Sequence, residues 1–227
     1  MQGFSPAQSY QKRRGEIETY FDRTAMAAWE KLTSNAPVSG IRATVRAGRD
    51  AMRNTLLSWL PEDMHGLRLL DAGCGTGALA LEVAGRGAEV VAIDLSPQLV
   101  ALAAQRAADH AAASRISFSA GDMLDPALGR FDYVVAMDSI IHYRPEDTFS
   151  AIAQLAARCE RAMLFTFAPR TPLLGAALAF GKILPRGDRS PAIIPQSENA
   201  LREKFNIGRS KKISSGFYTS QAMEVLP

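Results

Sequence analysis

The strongest constraint on this chain is an alternation of short apolar runs with helical stretches, opened by the glycine-rich turn Asp71-Ala-Gly-Cys-Gly-Thr-Gly77. Aliphatic runs separated by amphipathic stretches are the pattern of parallel strands joined through crossover helices. Strands are expected at 67–71, 89–94, 115–119, 131–137 and 161–168. The first is followed by the glycine loop and a helix to about residue 84. Ser96 and Pro97 supply an N-cap and a first-turn proline for a helix to about residue 112, and Pro145 starts another that reaches residue 158.

The flanks break this rhythm. Residues 16–32 read as a helix whose larger apolar positions are Ile17, Tyr20, Phe21 and Trp29. After a break at 35–39, Ser39 is placed to cap a second helix running to about residue 60, before Pro61. Residues 169–195 are rich in proline and glycine; a helix near 197–205 follows, then two strands, 206–214 and 216–225, around a turn at Ser215-Gly216. A terminal hairpin on a parallel sheet is not the usual ending of a nicotinamide-binding fold, and it is common in methyltransferases. The expected fold is therefore α/β and Rossmann-like, of the S-adenosylmethionine-dependent methyltransferase class. It has a mainly parallel sheet, a C-terminal antiparallel hairpin and an N-terminal helical cap. One domain is expected over 1–227: a cap (1–60), a cofactor-binding core (61–168), a substrate-lid insertion (169–199) and a closing helix end and hairpin (200–227).

A glycine turn after a strand lets the backbone approach a ligand and opens a helix N-terminus toward it. Gly73, Gly75 and Ala78 also satisfy a dinucleotide pattern, so two further features decide. Asp71, at the strand end, is badly placed for a pyrophosphate and well placed for an ammonium. Gly77 completes a Gly-x-Gly-x-Gly spacing. Asp94 ends the second strand, where a carboxylate accepts from both ribose hydroxyls. Gly121-Asp122-Met123 follows the third strand, at the place of the adenine in methyltransferases, with Asp122 toward the exocyclic amine and Met123 beside the ring. The fourth strand delivers Met137, Asp138, Ser139, His142 and Tyr143 to the carboxyl edge of the sheet, where ligands bind in open α/β folds. The residues expected around S-adenosylmethionine are Asp71, Gly73, Cys74, Gly75, Gly77, Asp94, Leu95, Asp122, Met123, Met137 and Asp138.

Charge is unevenly distributed. Residues 1–60 hold nine basic against five acidic side chains, residues 61–169 eight against fourteen, and residues 170–227 nine against four. The basic flanks suit an anionic small molecule or an anionic surface, although any single charge is more often solvated surface. Arg42, Arg46, Arg49 and Arg53, at spacings of four, three and four, share one helix face. A solvated face is the expectation for most of that row, with a substrate carboxylate, an acidic partner or anionic lipid as the alternatives. Two cysteines, Cys74 and Cys159, make no disulfide framework and point to a reducing cytosol. The longest apolar run, 172–185, is too short to span a bilayer, so at most a peripheral membrane contact is expected. It reads equally as an apolar lid, a membrane-touching loop or core.

Ile17-Glu-Thr-Tyr20-Phe21-Asp-Arg with Trp29, then Asp138-Ser-Ile-Ile-His142-Tyr143, Phe165-Thr-Phe-Ala-Pro169, Gly208-Arg-Ser-Lys and Gly216-Phe-Tyr218-Thr-Ser220-Gln together resemble the magnesium-protoporphyrin IX O-methyltransferases of bacteriochlorophyll and chlorophyll synthesis, over almost the entire chain. The resemblance implies methyl transfer from S-adenosylmethionine to one porphyrin propionate, leaving the monomethyl ester and S-adenosylhomocysteine (SAH). It implies that Tyr20 and His142 flank the transfer site, with His142 either orienting the propionate or ligating the porphyrin magnesium. That magnesium belongs to the substrate, and no protein-bound metal is expected. The porphyrin-carrying subunit of magnesium chelatase is an implied partner, nucleic acid is not, and the implied location is cytoplasmic or peripheral on the inner, photosynthetic membrane. The alternatives are a quinone-type small-molecule methyltransferase, a silent S-adenosylmethionine-binding module and a nicotinamide oxidoreductase. His65 and His110 are expected to be structural.

Overall fold

In a computed structural model, which describes residues 6–24, 33, 40–170 and 191–227, seven strands form one sheet in the order β3-β2-β1-β4-β5-β7-β6. The strands are β1 (Arg68–Ala72), β2 (Glu89–Asp94), β3 (Ile116–Ala120), β4 (Phe131–Ala136), β5 (Cys159–Phe167), β6 (Ile207–Ser215) and β7 (Tyr218–Val225). The first five run parallel, and β7 adds antiparallel to β5, pairing Phe165 with Met223, before β6 closes the edge. Both faces are covered, so neighbouring strand residues feed different cores. Leu70, Val134, Phe165 and Met223 pack on one side; Leu69, Val135, Leu164 and Ala222 pack on the other. That two-sided burial is why the parallel strands read as continuous apolar runs.

The helices are α1 (Pro6–Thr19), α2 (Gly40–Leu57), α3 (Ala78–Gly85), α4 (Pro97–Ala107), α5 (Pro145–Ala156) and α6 (Glu198–Lys204). Ser96 caps α4 as expected, its Oγ accepting from the Leu99 amide at 3.2 Å with Pro97 in the first turn. Ser197 caps α6 in the same way. α4 ends five residues short of the expected 112: beyond Ala107 the chain turns on itself as far as Arg115, with the His110 amide on the Ala107 carbonyl, while Ala112 returns to the core.

The first helix differs most from expectation. It starts at Pro6 rather than residue 16, and it gives way at Tyr20–Thr24 to a turn of π-helix. Its amphipathic signal is weak, since Tyr10 and Ile17 are its buried apolar anchors. Tertiary contacts hold it instead: Ser9 Oγ donates to Asp147 at 2.6 Å, and the Tyr10 ring stacks on Tyr143 with centroids 4.8 Å apart. The break at 35–39, the Ser39 cap, Trp29 and the 172–185 run lie outside the described residues.

α2 crosses the hairpin, and Gly48 makes that crossing possible. A Cβ there would lie 2.5 Å from the Tyr218 ring. The hairpin itself turns at Gly216, whose φ of 54° a side chain would disfavour.

Candidate active site

A cavity of about 670 Å³ opens at the carboxyl ends of β1, β2 and β4, bounded by the π turn after α1, the arginine face of α2 and the hairpin. This is the edge where the crevice of an open parallel sheet lies. Tyr20, Asp71, Gly73, Cys74, Gly75, Asp94, Leu95, Met123, Met137, Asp138 and His142 all line it.

The glycine loop takes its shape from three left-handed residues, Gly73 (φ 88°), Gly75 (φ 53°) and Gly77 (φ 79°). The amides of Gly73 and Cys74 donate to the Ile93 carbonyl at 2.8 and 3.0 Å, tying the loop to the end of β2. The Gly75 amide donates to Asp94 Oδ2 at 2.9 Å, and the Ser96 amide to Asp94 Oδ1 at 3.0 Å. Asp94 is thereby held by two backbone donors at the cavity wall, with acceptor capacity remaining on both oxygens. At Gly73 a Cβ would lie 2.3 Å from the Ser139 Cβ, so the loop and the β4 exit approach as only glycine permits.

Asp71 is buried, and its Oδ2 has no hydrogen-bond partner. Burial, followed by the nearby Asp94 charge, pushes its carboxyl up to about 7. A buried carboxylate in this state calls for a cation. The ammonium of S-adenosylmethionine would supply one, and Asp94 would offer acceptors to its ribose, so the residues present fit that molecule. Burial also drives the Cys74 thiol well up, which keeps it neutral and unreactive.

Two residues of the expected cofactor set stand off the cavity wall. Gly77 begins α3, and a Cβ there would press on Ala103 and Phe118, both at 3.1 Å, so its glycine serves helix packing. Asp122 accepts from the Tyr10 hydroxyl at 2.7 Å, Arg14 at 2.9 Å and the Leu124 amide at 2.9 Å. Its carboxylate anchors α1 in this structure, where the sequence placed it toward the adenine amine. The physical reason is the cap helix, which brings a cation and a hydroxyl to a carboxylate otherwise left at the rim.

The cap also reaches the other end of the site. Arg13 Nε donates to the His142 carbonyl at 2.8 Å. Asp22 accepts from Ser96 Oγ and the Gln98 amide at 3.1 and 3.2 Å, pinning the π turn to the start of α4. Tyr20 on that turn stands edge-on to Phe21, and the Phe21 ring lies 6.1 Å from the His142 ring. His142 is buried, which lowers its pKa, so the ring is neutral at pH 7. Its Nδ1 lies 3.4 Å from the Ala192 carbonyl.

Asp138 sits at the β4 exit with a φ of 53°, a strained value for a non-glycine residue. Its carboxylate accepts from Arg49 at 2.6 Å, Thr166 Oγ1 at 3.0 Å and the Tyr218 hydroxyl at 3.1 Å. One carboxylate therefore ties α2, β5 and β7 to the turn that carries Ser139 and His142. Sequence reasoning missed Tyr10, Arg13 and Arg14, which carry no motif, and saw Asp22 only as part of the Ile17 to Arg23 run. Tyr218 and Ser220 were visible only as part of the closing hairpin. His65 pairs with Asp63 on the surface, away from the cavity. Among the described residues no group of three or more His, Cys, Asp and Glu side chains is placed to hold a metal ion, and no helix is long and apolar enough to cross a membrane.

Two family models match the chain: "Methyltransferase domain" over residues 69–161 and "Magnesium-protoporphyrin IX methyltransferase C-terminus" over residues 136–227. The magnesium-protoporphyrin O-methyltransferase of Rhodobacter capsulatus is 47% identical over 221 residues, covering 96% of this chain and 98% of that one. The magnesium-protoporphyrin O-methyltransferase of Synechocystis is 28% identical, covering 92% and 94%. A crystal structure of magnesium protoporphyrin IX methyltransferase from Synechocystis with bound SAH superposes with a TM-score of 0.84 at 27% identity, covering 94% of this chain and 99% of that one.

Proposed function

The chain belongs to the magnesium-protoporphyrin O-methyltransferase family, and from that premise we propose how its own residues carry the reaction. It transfers a methyl group from S-adenosylmethionine to a propionate carboxylate of magnesium-protoporphyrin IX, giving the monomethyl ester and SAH. The observation that carries the site assignment is the buried, unpartnered Oδ2 of Asp71 beside the doubly held carboxylate of Asp94.

The methyl donor supplies an electrophilic carbon on a sulfonium, which leaves as a neutral thioether. A propionate has a pKa near the Glu value of about 4.3 and is ionised at pH 7, so no base has to create the nucleophile. What the protein supplies is alignment of oxygen, carbon and sulfur, and exclusion of water from the carboxylate. Asp71 binds the ammonium, Asp94 the ribose, and Leu95 and Met123 stand on the same wall to cover the adenine. Tyr20, on the π turn pinned through Asp22, closes over the methionine end.

His142 is a positioning group in this reading. A carbonyl only accepts, so the ring nitrogen facing Ala192 carries the proton and Nε2 of the neutral imidazole keeps a lone pair. A lone pair repels a carboxylate and suits the substrate's magnesium as an axial ligand, which favours the second of the two roles expected for this residue.

Single-turnover methyl transfer to magnesium-protoporphyrin tests the reading, with metal-free protoporphyrin beside it. Wild-type rates under saturating substrate stay within a few-fold between about pH 6 and 9, because no base near the unperturbed His value of about 6.5 is used. His142→Ala binds SAH normally and loses roughly 10²-fold in transfer, the scale of a misplaced reactant. A rate that climbs tenfold per pH unit below neutrality in wild type, with that slope abolished in His142→Ala, would make His142 a base and sink this account.

A further inference from the structure

The cavity has a basic side as well as the acidic one assigned above to the methyl donor. Asp71 and Asp94 lie at the glycine-loop end. Arg42, Arg46, Arg49 and Arg53 of α2 all line the same cavity, where most of the row was expected to be solvated. Arg49 pairs with Asp138 at 2.6 Å, and Arg53 with Asp50 and Glu82 at 2.9 and 3.0 Å. Arg42 makes no ion pair or hydrogen bond among the described residues. From Arg49 the row rises along the helix by about 4.5 Å to Arg46 and about 10.5 Å to Arg42.

The outer end of the row meets an apolar rim. Phe217, at the hairpin tip, lines the cavity yet is 72% exposed. Ile41, beside Arg42 in the first turn of α2, is 58% exposed. The hairpin tip touches that first turn, since a Cβ on Gly216 would lie 2.5 Å from Thr44 Oγ1. An aromatic face next to guanidinium groups, at the mouth of a site, matches a flat apolar molecule that carries carboxylates on its edge.

We propose that the α2 row is a second-carboxylate subsite: Arg42 and Arg46 hold the propionate that is not methylated, while Phe217 covers the macrocycle at the mouth. This deepens the function proposed above and rests on it. The two propionates hang from neighbouring rings on one edge of the macrocycle. With the reacting propionate held at the methyl donor, the other can lie along α2, where the outer guanidinium groups of Arg46 and Arg42 line the same cavity. The subsite sets which dicarboxylate geometry the enzyme accepts, and it makes a porphyrin with one carboxylate a poor substrate.

The test is a substrate-by-variant cycle on the full chain. The substrates are magnesium-protoporphyrin and its analogue in which the propionate left free in the product is a primary amide. The proteins are wild type, Arg42→Gln/Arg46→Gln and Arg42→Lys/Arg46→Lys, each first shown to bind SAH with wild-type affinity. Wild type loses roughly tenfold in kcat/KM on the amide, the scale of one charge-assisted contact. The Gln pair loses roughly tenfold on the dicarboxylate and much less on the amide, and the Lys pair recovers part of the loss. The wild-type discrimination shrinks at 1 M salt, where the Debye length is about 3 Å. Equal losses on both substrates, or none on either, overturn the subsite while leaving methyl transfer standing. A wild type that binds SAH and methylates neither porphyrin overturns the function itself, and the subsite with it.

Discussion

The glycine-loop wall and the α2 wall of the same cavity are built in opposite ways. The first comes from 25 consecutive residues, Asp71 to Leu95, and presents two carboxylates, of which Asp94 is held by the backbone amides of Gly75 and Ser96. The second draws on α2, the β4 exit and a hairpin that begins 150 residues after α2 ends, and presents guanidinium groups braced by side chains. On the function and subsite proposed above, the acidic wall faces a donor carrying a sulfonium and an ammonium, and the basic wall a substrate carrying carboxylates. A backbone-held site tolerates little local change, whereas a side-chain-braced one degrades by steps.

Asp94 is the place to break the first wall. Asp94→Ala removes the ribose acceptors and also frees the Gly75 and Ser96 amides, and SAH affinity falls by about 10²-fold or more, at roughly 1.5–3 kcal/mol for each charge-assisted bond. Asp94→Asn, which keeps one carbonyl acceptor, loses less. Isothermal titration reads both, and an unchanged dissociation constant in folded Asp94→Ala would take the residue out of the site.

Asp71 sharpens the contrast through pH. Its folded-state value is raised to about 7 from an ordinary 3.8, so the ligand-free fold binds its proton more tightly than the unfolded chain does. Stability is therefore greatest at low pH as far as this group is concerned, and it declines as pH rises from about 4 to about 7. An ammonium that replaces the proton reverses the preference, so SAH affinity weakens by up to tenfold per unit as pH falls below about 7. Asp71→Asn flattens both profiles. Titration calorimetry and thermal melts between pH 5 and 8 would show it, and parallel profiles for the two proteins would refute the assignment.

The smallest effect belongs to the braced wall. Tyr218→Phe removes one of the donors to Asp138 and leaves the others, costing about 1 kcal/mol and lowering Tm by about 2–4 °C. Methyl transfer slows a few-fold because the strained Asp138 turn relaxes, while SAH affinity holds. A variant that loses SAH binding instead would show the two walls to be one unit.

The element order, the parallel sheet, the Ser96-Pro97 helix start and the cavity residues of the glycine loop were legible in the sequence because each depends on a few neighbouring residues. The strand period, the cap and the positive-φ turn are all local. The start of α1 was not legible, since Tyr10 and Arg14 gain their meaning only from Asp122, over a hundred residues away. Asp122 itself shows the limit: its position after β3 was read correctly, yet its partner came from a distant helix. Likewise, the spacing of Arg42, Arg46, Arg49 and Arg53 fixed which face they share, and helix periodicity can say no more than that. Gly48, by letting α2 lie close on Tyr218, decided that this face looks into the cavity, because the direction of a helix face is set by what the helix packs against.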